Sequence, residues 1–506
     1  MPFTTSTEPI QSITTDALIV YVAQDSKPTD RASAVDTALN GAITTVIDDG
    51  DFSGKAEETI TLYTNGAIPA KRVILVGLGD TESISPDSIR RAAAVGALRA
   101  RTLNLKSVAT YPIIDELSVA ESTQALVEGM QLALYQYHGQ KSDDAPEDLP
   151  EQVIIAADSE ADATFAQQGI NTGNAFASGT NLARDLINLP PNILIPAYMA
   201  QRAEQMAKEV GLACTILEKQ QMQALKMGAL LGVAQGSDYP PKFIILEHNA
   251  DKADDDNTPT IVLVGKGVTF DTGGYSLKSR DGMIGMKADM SGGAAVIGAM
   301  QTIAQLDVPI HVVGLVPAAD NMVSGKAYRP QEVITASNGT TIEIISTDAE
   351  GRLLLADALV YAQRYQPTAV LDIATLTGSI VVALGHAATG VYSNSDSIVA
   401  TLQQAADLTD EYVWRMPMFP DYGKSLKSDT ADTKNSGGRG GGAGVAAHFL
   451  SNFIDYDWAH VDMAGMLNND GSNILNPKHS ARGYGARLFA EFARQFAQSS
   501  AEADNA

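Results

Sequence analysis

One stretch of the sequence carries charged residues directly after a strand that has to be buried. Residues 261–264 read Ile-Val-Leu-Val, an apolar run typical of a buried parallel strand. Lys266 and Asp271 follow it, and Lys278 and Asp289 come next in a background of Gly, Ser, Thr and Met. Because burying an unpaired charge is very costly, these side chains need partners of opposite charge or a metal ion.

A second stretch of the same kind lies further along the chain. The apolar run Thr341 to Ile345 precedes Asp348 and Glu350. Ligands of open α/β sheets collect at the carboxyl ends of the strands. If adjacent strands carry the two stretches, Asp271, Asp348 and Glu350 converge on one crevice, and we expect Asp289 to join them at the start of the next helix.

Four carboxylates in one crevice repel one another and take up protons unless cations hold them. Two divalent metal ions about 3.5–4 Å apart, bridged by shared carboxylates, would satisfy the set. The sequence has no HExxH motif, which argues against a single zinc ion held by two histidines of one helix. The residues leave the choice among Mn²⁺, Zn²⁺, Co²⁺ and Mg²⁺ open. The plainer alternative, isolated salt bridges and turn caps, is disfavoured because the charged residues follow two strands together.

Strand and helix patterns alternate along the chain, which favours an α/β fold. A chain of 506 residues is too long for one core, so two domains are expected. We predict that each domain is a mostly parallel or mixed sheet flanked by helices. The predicted limits are an N-terminal α/β domain at residues 1–160, a connecting helix at 161–187 and a C-terminal catalytic domain at 188–506.

The formal net charge of −25 disfavours binding to nucleic acid or to an anionic membrane, since both require basic surfaces. It suits a cationic substrate, or it reflects solubility alone. The N-terminal sequence has no basic and apolar leader pattern, and no run of about eighteen apolar residues occurs. We therefore expect a cytoplasmic protein that does not span a membrane.

Three motifs resemble the signatures of the leucyl aminopeptidases, peptidase family M17, which are dinuclear metal exopeptidases. They are VGKGVTFDTGG from Val264, KADMSGGAA from Lys287 and TDAEGRL from Thr347. The similarity is strong from Asn181 to the end of the chain, and the N-terminal part matches in outline. Ser346 departs from the family, which commonly has Asn at this position, but it lies outside the ligating groups.

The resemblance implies a role for each charged residue. One metal ion would be held by Lys266, Asp271, Asp289 and Glu350, and the other by Asp271, Asp348 and Glu350, with manganese or zinc the expected metals. Lys266 would bind as the neutral amine. Lys278 would polarise the scissile carbonyl, and Arg352 would hold a bicarbonate-like anion that acts as general base. The pocket for the first side chain would be lined by Met286, Thr375 and Leu376.

The predicted function is a metal-dependent aminopeptidase that releases N-terminal residues, preferentially leucine-like ones, from peptides. The resemblance also implies a homohexamer. Two alternatives stay open: a narrow dipeptidase of the Cys-Gly type, and a regulatory, DNA-associated protein with a secondary peptidase activity. The segment Gly437 to Gly442 is interpreted as a mobile loop near the site mouth, because the GK[ST] of a phosphate loop does not follow it.

Overall fold

The computed structural model describes residues 1–80, 84–114, 116–142, 148–253, 255, 258–438, 440–467, 471–478 and 480–504. The chain divides into two compact units. The first comprises Met1–Ala177 with Asp470–Ser480, and the second comprises Ser178–Asn469 with Ala481–Ala506. The helix Glu160–Asn188 runs through the division between residues 177 and 178. The domain limits expected at residues 160 and 187 stay a prediction.

The described residues of the first unit contain one six-stranded sheet. Its strands are β1 (Phe3–Ser6), β2 (Ala17–Val22), β3 (Thr59–Tyr63), β4 (Arg72–Gly77), β5 (Ser107–Thr110) and β6 (Gln152–Ala156). In the order β1-β6-β5-β2-β4-β3 neighbours run parallel, except that β3 is antiparallel to β4. Strand β2 is buried along its whole length, as expected for an uninterrupted apolar run covered on both faces.

The helices that begin in the first unit have clear start signals. They are α1 (Asp30–Ala38), α2 (Ala42–Asp48), α3 (Pro86–Thr102), α4 (Val119–Ala133) and α5 (Glu160–Asn188). Helix α3 begins with a capping box, in which Ser85 Oγ accepts from Ser88 N at 3.3 Å and Ser88 Oγ accepts from Ser85 N at 2.8 Å. These bonds satisfy backbone N–H groups that have no partner inside the helix.

The second unit holds the longer stretch of strands. They are β7 (Ala213–Leu217), β8 (Lys242–His248), β9 (Thr260–Gly265), β10 (Gly267–Asp271), β11 (His311–Asn321), β12 (Val333–Thr335), β13 (Thr341–Glu343), β14 (Ala369–Ala374), β15 (Thr389–Ser393), β16 (Val413–Arg415), β17 (Thr433–Lys434) and β18 (Trp458–Asp462). In the described part of the unit, a nine-stranded sheet has the order β16-β15-β18-β14-β9-β11-β8-β7, with β10 paired to β11. Its centre, β18-β14-β9-β11, is parallel.

Helices surround this sheet in sequence. They are α6 (Pro196–Val210), α7 (Lys219–Ala224), α8 (Gly228–Ala234), α9 (Arg280–Met283), α10 (Ser291–Gln305), α11 (Gly351–Ala362), α12 (Gly378–Leu384), α13 (Asp396–Thr409), α14 (Gly442–Leu450) and α15 (Ala486–Asp504). Helices α10 and α11 are buried along most of their length, which suits their apolar sequences. Across the described ranges, no helix combines the length and the apolar character needed to cross a bilayer.

The predicted α/β class is confirmed, since each unit contains a mixed sheet with helices. The expectation that adjacent strands of one sheet carry the two charged stretches is wrong. Both edges of β9 are already paired, with β11 on one side and β14 on the other. The strand ahead of Asp348 is β13, which is shorter than predicted and belongs to a separate sheet of order β12-β13-β17.

A buried carboxylate joins α11 to the small sheet's surroundings. Asp357 on α11 is fully buried. Its Oδ2 accepts from Leu230 N in the first turn of α8 at 2.9 Å, and its Oδ1 accepts from Ser337 N at 2.7 Å. Burial raises the pKa of the Asp357 carboxyl to about 6, although these backbone bonds favour the ionised form.

This burial predicts a pH-dependent stability difference between the parent chain and Asp357→Asn. An acid whose pKa is higher in the folded state binds its proton more tightly when folded, so its stabilising contribution is complete below the unfolded pKa and is lost as pH rises through about 6. The free energy of unfolding of the parent should therefore fall relative to that of Asp357→Asn, by about 1 kcal/mol between about pH 5 and about pH 7.5.

Urea denaturation across that pH range measures the difference. Asp251→Asn, at an exposed position, is the control and should follow the parent at each pH. A constant offset between Asp357→Asn and the parent would show that Asp357 ionises normally in the folded chain.

Candidate metal centre

Charged side chains of the second unit converge on one cavity of about 870 Å³. They come from the turn between β9 and β10, the end of β10 and the loop after it, the residue before α10, and the residues that lead into α11. The structure brings together at this cavity all the residues that the sequence predicts for the site: Lys266, Asp271, Lys278, Met286, Asp289, Asp348, Glu350, Arg352, Thr375 and Leu376.

The backbone of Lys266 is fixed from both sides. Lys266 N donates to Ile373 O of β14 at 3.1 Å, and Gly293 N of α10 donates to Lys266 O at 2.7 Å. A Cβ at Gly292 would lie 2.1 Å from Ile373 O. The two glycines at the start of α10 thus let the helix approach the strands closely enough to hold this turn.

Asp271 is tied to the second charged stretch through an asparagine. Asp271 ends β10 and pairs with Asn321 at the end of β11. Asn321 Nδ2 donates to Asp271 Oδ1 at 2.8 Å and to Thr347 O at 2.9 Å. Thr347 Oγ1 in turn donates to Gly273 O at 2.6 Å. These bonds, rather than strand pairing, bring the two stretches together.

Lys266 forms the inner ion pairs of the site. Its Nζ lies 2.8 Å from Asp289 Oδ2 and 2.8 Å from Glu350 Oε1, and it donates to Thr375 O at 3.0 Å. Burial alone lowers the pKa of the Lys266 ammonium, but the neighbouring carboxylates outweigh it and raise that pKa. Burial raises the pKa of Glu350, and the charge of Lys266 more than reverses this, so the pKa of Glu350 is lowered.

Lys278 forms the outer ion pairs. Its Nζ lies 2.8 Å from Asp271 Oδ2 and 2.5 Å from Asp348 Oδ1. Burial raises the pKa of Asp271 to about 6, and the charge of Glu350 adds to the rise, while Lys278 opposes it. Burial likewise raises the pKa of Asp348. The carboxylates outnumber the lysines, so the cluster still favours further positive charge.

The donor atoms fit divalent metal ions. One oxygen each of Asp271, Asp348 and Glu350 lies within 4.8 Å of the others, close enough to share a cation. Asp289 Oδ2 is buried and accepts no hydrogen bond among the described residues. Burial raises the pKa of Asp289 well above its usual value, which Lys266 opposes. Carboxylate oxygens with one amine form a ligand set suited to manganese, magnesium or zinc.

Arg352 offers an unpaired donor to the same cavity. It is 7% exposed, and its Nη1 donates to Asn435 O at 2.8 Å. Its buried Nε has no hydrogen-bond partner in the described part of the chain. Burial lowers the pKa of the Arg352 guanidinium to about 10. A cationic donor left without a partner in a cavity suits an anionic ligand.

The rest of the cavity wall is mostly apolar or small. Met286, Leu376 and Leu467 line it together with Val381 and Val382. Large apolar side chains beside a polar cluster are typical of sites that hold a peptide side chain next to a reacting group.

Part of the glycine-rich segment also borders the cavity. Gly437, Gly438 and Gly442 lie in its wall, at the start of α14. Arg439, in the middle of the segment, lies outside the described residues. The position near the site agrees with the sequence interpretation, and the mobility of the segment stays a prediction.

Sequence reasoning gave no role to three buried polar residues beside the site. Asn321 orients Asp271, and Asn435 accepts from Arg352. Asp462 ends β18, and its Oδ1 accepts from Leu376 N at 3.2 Å. Asp462 follows an apolar strand just as Asp271 does, so the same signal was available for it. The two asparagines gave no such signal, because their partners are distant in sequence.

Comparison with known proteins was made for families and relatives. Residues 181–490 match the family described as "Cytosol aminopeptidase family, catalytic domain", and residues 19–144 match "Cytosol aminopeptidase family, N-terminal domain". The chain is 43% identical to a "Probable cytosol aminopeptidase" of Roseiflexus castenholzii, over 91% of this chain and 94% of that protein. It is 42% identical to a protein of the same name from Syntrophotalea carbinolica, over 96% and 98%.

Solved structures give the same picture. A mutant of tomato leucine aminopeptidase matches with a TM-score of 0.85 and 32% identity, covering 97% of this chain and 96% of that chain. The bottromycin maturation enzyme BotP in complex with Mn matches with a TM-score of 0.84 and 30% identity, covering 96% and 100%.

The carboxylate cluster predicts that Mn²⁺ stabilises the folded chain. A ligand that binds only the folded state at about 100 times its Kd adds about 2.7 kcal/mol to the free energy of unfolding. The thermal midpoint of chelator-treated protein should therefore rise by a few degrees on addition of Mn²⁺. Asp348→Asn should reduce the rise, because it removes one charged ligand oxygen.

Differential scanning fluorimetry with and without Mn²⁺ is sufficient. Asp238→Asn, at an exposed position away from the cavity, should keep the full rise. An unchanged response in Asp348→Asn would contradict a metal site at this cluster.

Proposed function

The chain belongs to the cytosol aminopeptidase family and is an aminopeptidase, and on that premise we propose which of its residues perform the hydrolysis. The observation that carries the proposal is the meeting of a carboxylate cluster, two lysines and an arginine in one cavity. We propose that the chain removes N-terminal residues from peptides with two divalent metal ions per subunit.

Five side chains hold the ions in this proposal. One site consists of Lys266, Asp271, Asp289 and Glu350, and the other of Asp271, Asp348 and Glu350. Lys266 binds as the neutral amine, because adjacent dications reverse the effect that the carboxylates have on its pKa. Manganese and zinc are the metals proposed, and the manganese complex of the structural neighbour supports the first. Divalent ions at such a site supply a nucleophilic water at neutral pH and polarise the peptide carbonyl.

Lys278 and Arg352 act on the reacting groups. Lys278 Nζ donates to the carbonyl oxygen of the scissile bond as negative charge develops there, which lowers the barrier because the donor is already in place. Arg352 uses its unpaired Nε to hold a bicarbonate-like anion. That anion supplies the general base, which no described side chain at the cavity offers in a suitable form.

The cavity also fixes the substrate class. Its carboxylates favour a basic amine, so a free N-terminus is drawn to the cluster. Met286, Thr375 and Leu376 surround the first side chain and favour leucine-like residues, whose burial contributes about 1.5–3 kcal/mol. This preference distinguishes a broad aminopeptidase from a dipeptidase restricted to Cys-Gly.

We further propose that the protein works in the cytoplasm as a homohexamer. The names of its relatives support the location. The resemblance to the leucyl aminopeptidases supports the assembly, as do large apolar side chains exposed on the second unit, among them Ile284, Trp414 and Phe419. Light scattering of the purified chain measures the assembled mass.

Replacing Lys278 or Arg352 should separate catalysis from metal binding. Lys278→Ala and Arg352→Ala should keep two metal equivalents, because neither side chain is a proposed ligand. The kcat should fall by about 10²–10³ in Lys278→Ala, the loss typical of one donor to a developing oxyanion. Metal analysis and steady-state kinetics on Leu-Gly-Gly measure both. Lys326→Ala, at an exposed position, should behave as the parent does. Loss of metal in Lys278→Ala would mean that it is a ligand.

Blocking the amine should abolish hydrolysis. An N-acetyl group removes the basic amine that the carboxylates favour and adds bulk beside the cluster. Leu-Gly-Gly should be cleaved at its first bond, and N-acetyl-Leu-Gly-Gly should be inert at saturating metal. Chromatography of the two reactions compares them directly. Similar rates would rule out the requirement for a free N-terminus.

A further inference from the structure

A short strand pair places one asparagine beside the loop that carries two of the proposed metal ligands. Strand β17 pairs parallel with β13, with Thr433 opposite Ile342 and Lys434 opposite Glu343. Asn435 follows β17 directly, and its N donates to Glu343 O at 3.0 Å. Asn435 therefore lies next to the residues that continue from β13 toward α11.

The Asn435 side chain binds this loop at both polar ends. Its Oδ1 accepts from Ile345 N at 2.8 Å and from Ser346 N at 3.3 Å. Its Nδ2 donates to Ser346 O at 2.6 Å and to Ala349 O at 3.4 Å. Asn435 is fully buried, so water does not replace these bonds readily. Buried backbone groups need such partners, and an irregular loop has few of its own.

The main chain of Asn435 also orients the arginine of the site. Arg352 Nη1 donates to Asn435 O at 2.8 Å. With Nη1 occupied, the guanidinium plane is fixed, and its buried Nε is the atom left without a partner. One residue thus contacts both the loop before Asp348 and the side chain that follows Glu350.

We propose that Asn435 is a positioning residue of the active site, which holds the Ile345–Ala349 loop and Arg352 in register with one another. The inference rests on the proposed function of Asp348, Glu350 and Arg352. Asn435 acts through these residues and does not touch the substrate. Removal of its side chain frees the ligand loop while the pocket for the first side chain, built from other elements, keeps its shape.

A matched asparagine stands elsewhere in the second unit. Asn394 Oδ1 accepts from Trp458 N at 2.7 Å, and Asn394 Nδ2 donates to Tyr456 O at 3.0 Å. It joins backbone groups as Asn435 does, and it is not in the wall of the cavity. Asn394→Ala is therefore the control for the loss of an asparagine that bridges two segments.

The first measurement needs neither substrate nor metal. Hydrogen exchange of chelator-treated protein, followed by mass spectrometry, reports the peptide that covers residues 345–352. Exchange should be slow in the parent, faster in Asn435→Ala and unchanged in Asn394→Ala. In Asn435→Asp the acceptor oxygen is kept and the donor is lost, so exchange should be intermediate. Fast exchange at Ile345 and Ser346 in the parent itself would overturn the proposal even if no variant folds.

The second measurement separates positioning from a general loss of structure. In Asn435→Ala, kcat on Leu-Gly-Gly should fall by about 10- to 100-fold and Mn²⁺ should bind about 10- to 100-fold more weakly, as is typical when a residue that orients ligands is removed. KM should change by no more than about threefold, because the side-chain pocket is retained. Equal kinetics in Asn435→Ala and Asn394→Ala would overturn the proposal. Absence of activity in the parent would contradict the proposed function alone, since the exchange result stands without it.

Discussion

Negative charge concentrated at the edge of an apolar sheet is the constraint on which the rest of the second unit depends. Asp271, Asp289 and Glu350 are each at most 4% exposed, and Asp348 stands beside them. Carboxylates so close cannot all ionise without cations nearby. Lys266 and Lys278 supply two positive charges from within the chain. The folded chain is therefore preorganised to hold cations at this position, and the apolar core around it keeps the charges from being screened by water.

The geometry of this cluster comes from two sheets rather than one. The large sheet fixes Lys266 and Asp271, because both edges of β9 are paired and β10 extends along β11. The small sheet of β12, β13 and β17 fixes the approach to α11. Asn321 joins the two systems through Asp271 and Thr347 O. A ligand set shared between separate sheets depends on such side-chain bonds, since no common ladder of backbone hydrogen bonds sets the distance between its halves.

The sequence predicted the α/β class and the residues gathered at the cavity, because these follow from local patterns. An apolar run such as residues 261–264 marks a buried strand, and charged residues after it mark the strand end. The sheet that carries β13 was beyond this reasoning. Its partner β17 has two residues and lies far along the chain, so no local period reveals the pairing. Asn435 escaped for the same reason, since an asparagine between two segments has no pattern of its own.

The packing around the two lysines explains why equal charges can serve different tasks in the proposed mechanism. The Lys266 side chain is 3% exposed, and a Cβ at Gly351 would lie 2.5 Å from its Cε. Its stem therefore passes against the backbone at the start of α11, and its amine reaches only the carboxylates and Thr375 O. The Lys278 side chain is 18% exposed and follows a loop with positive φ at Gly273 and Gly274. Freedom to move separates the two: Lys266 is confined to holding the cluster, whereas Lys278 can exchange its carboxylate partners for a peptide carbonyl that enters the cavity.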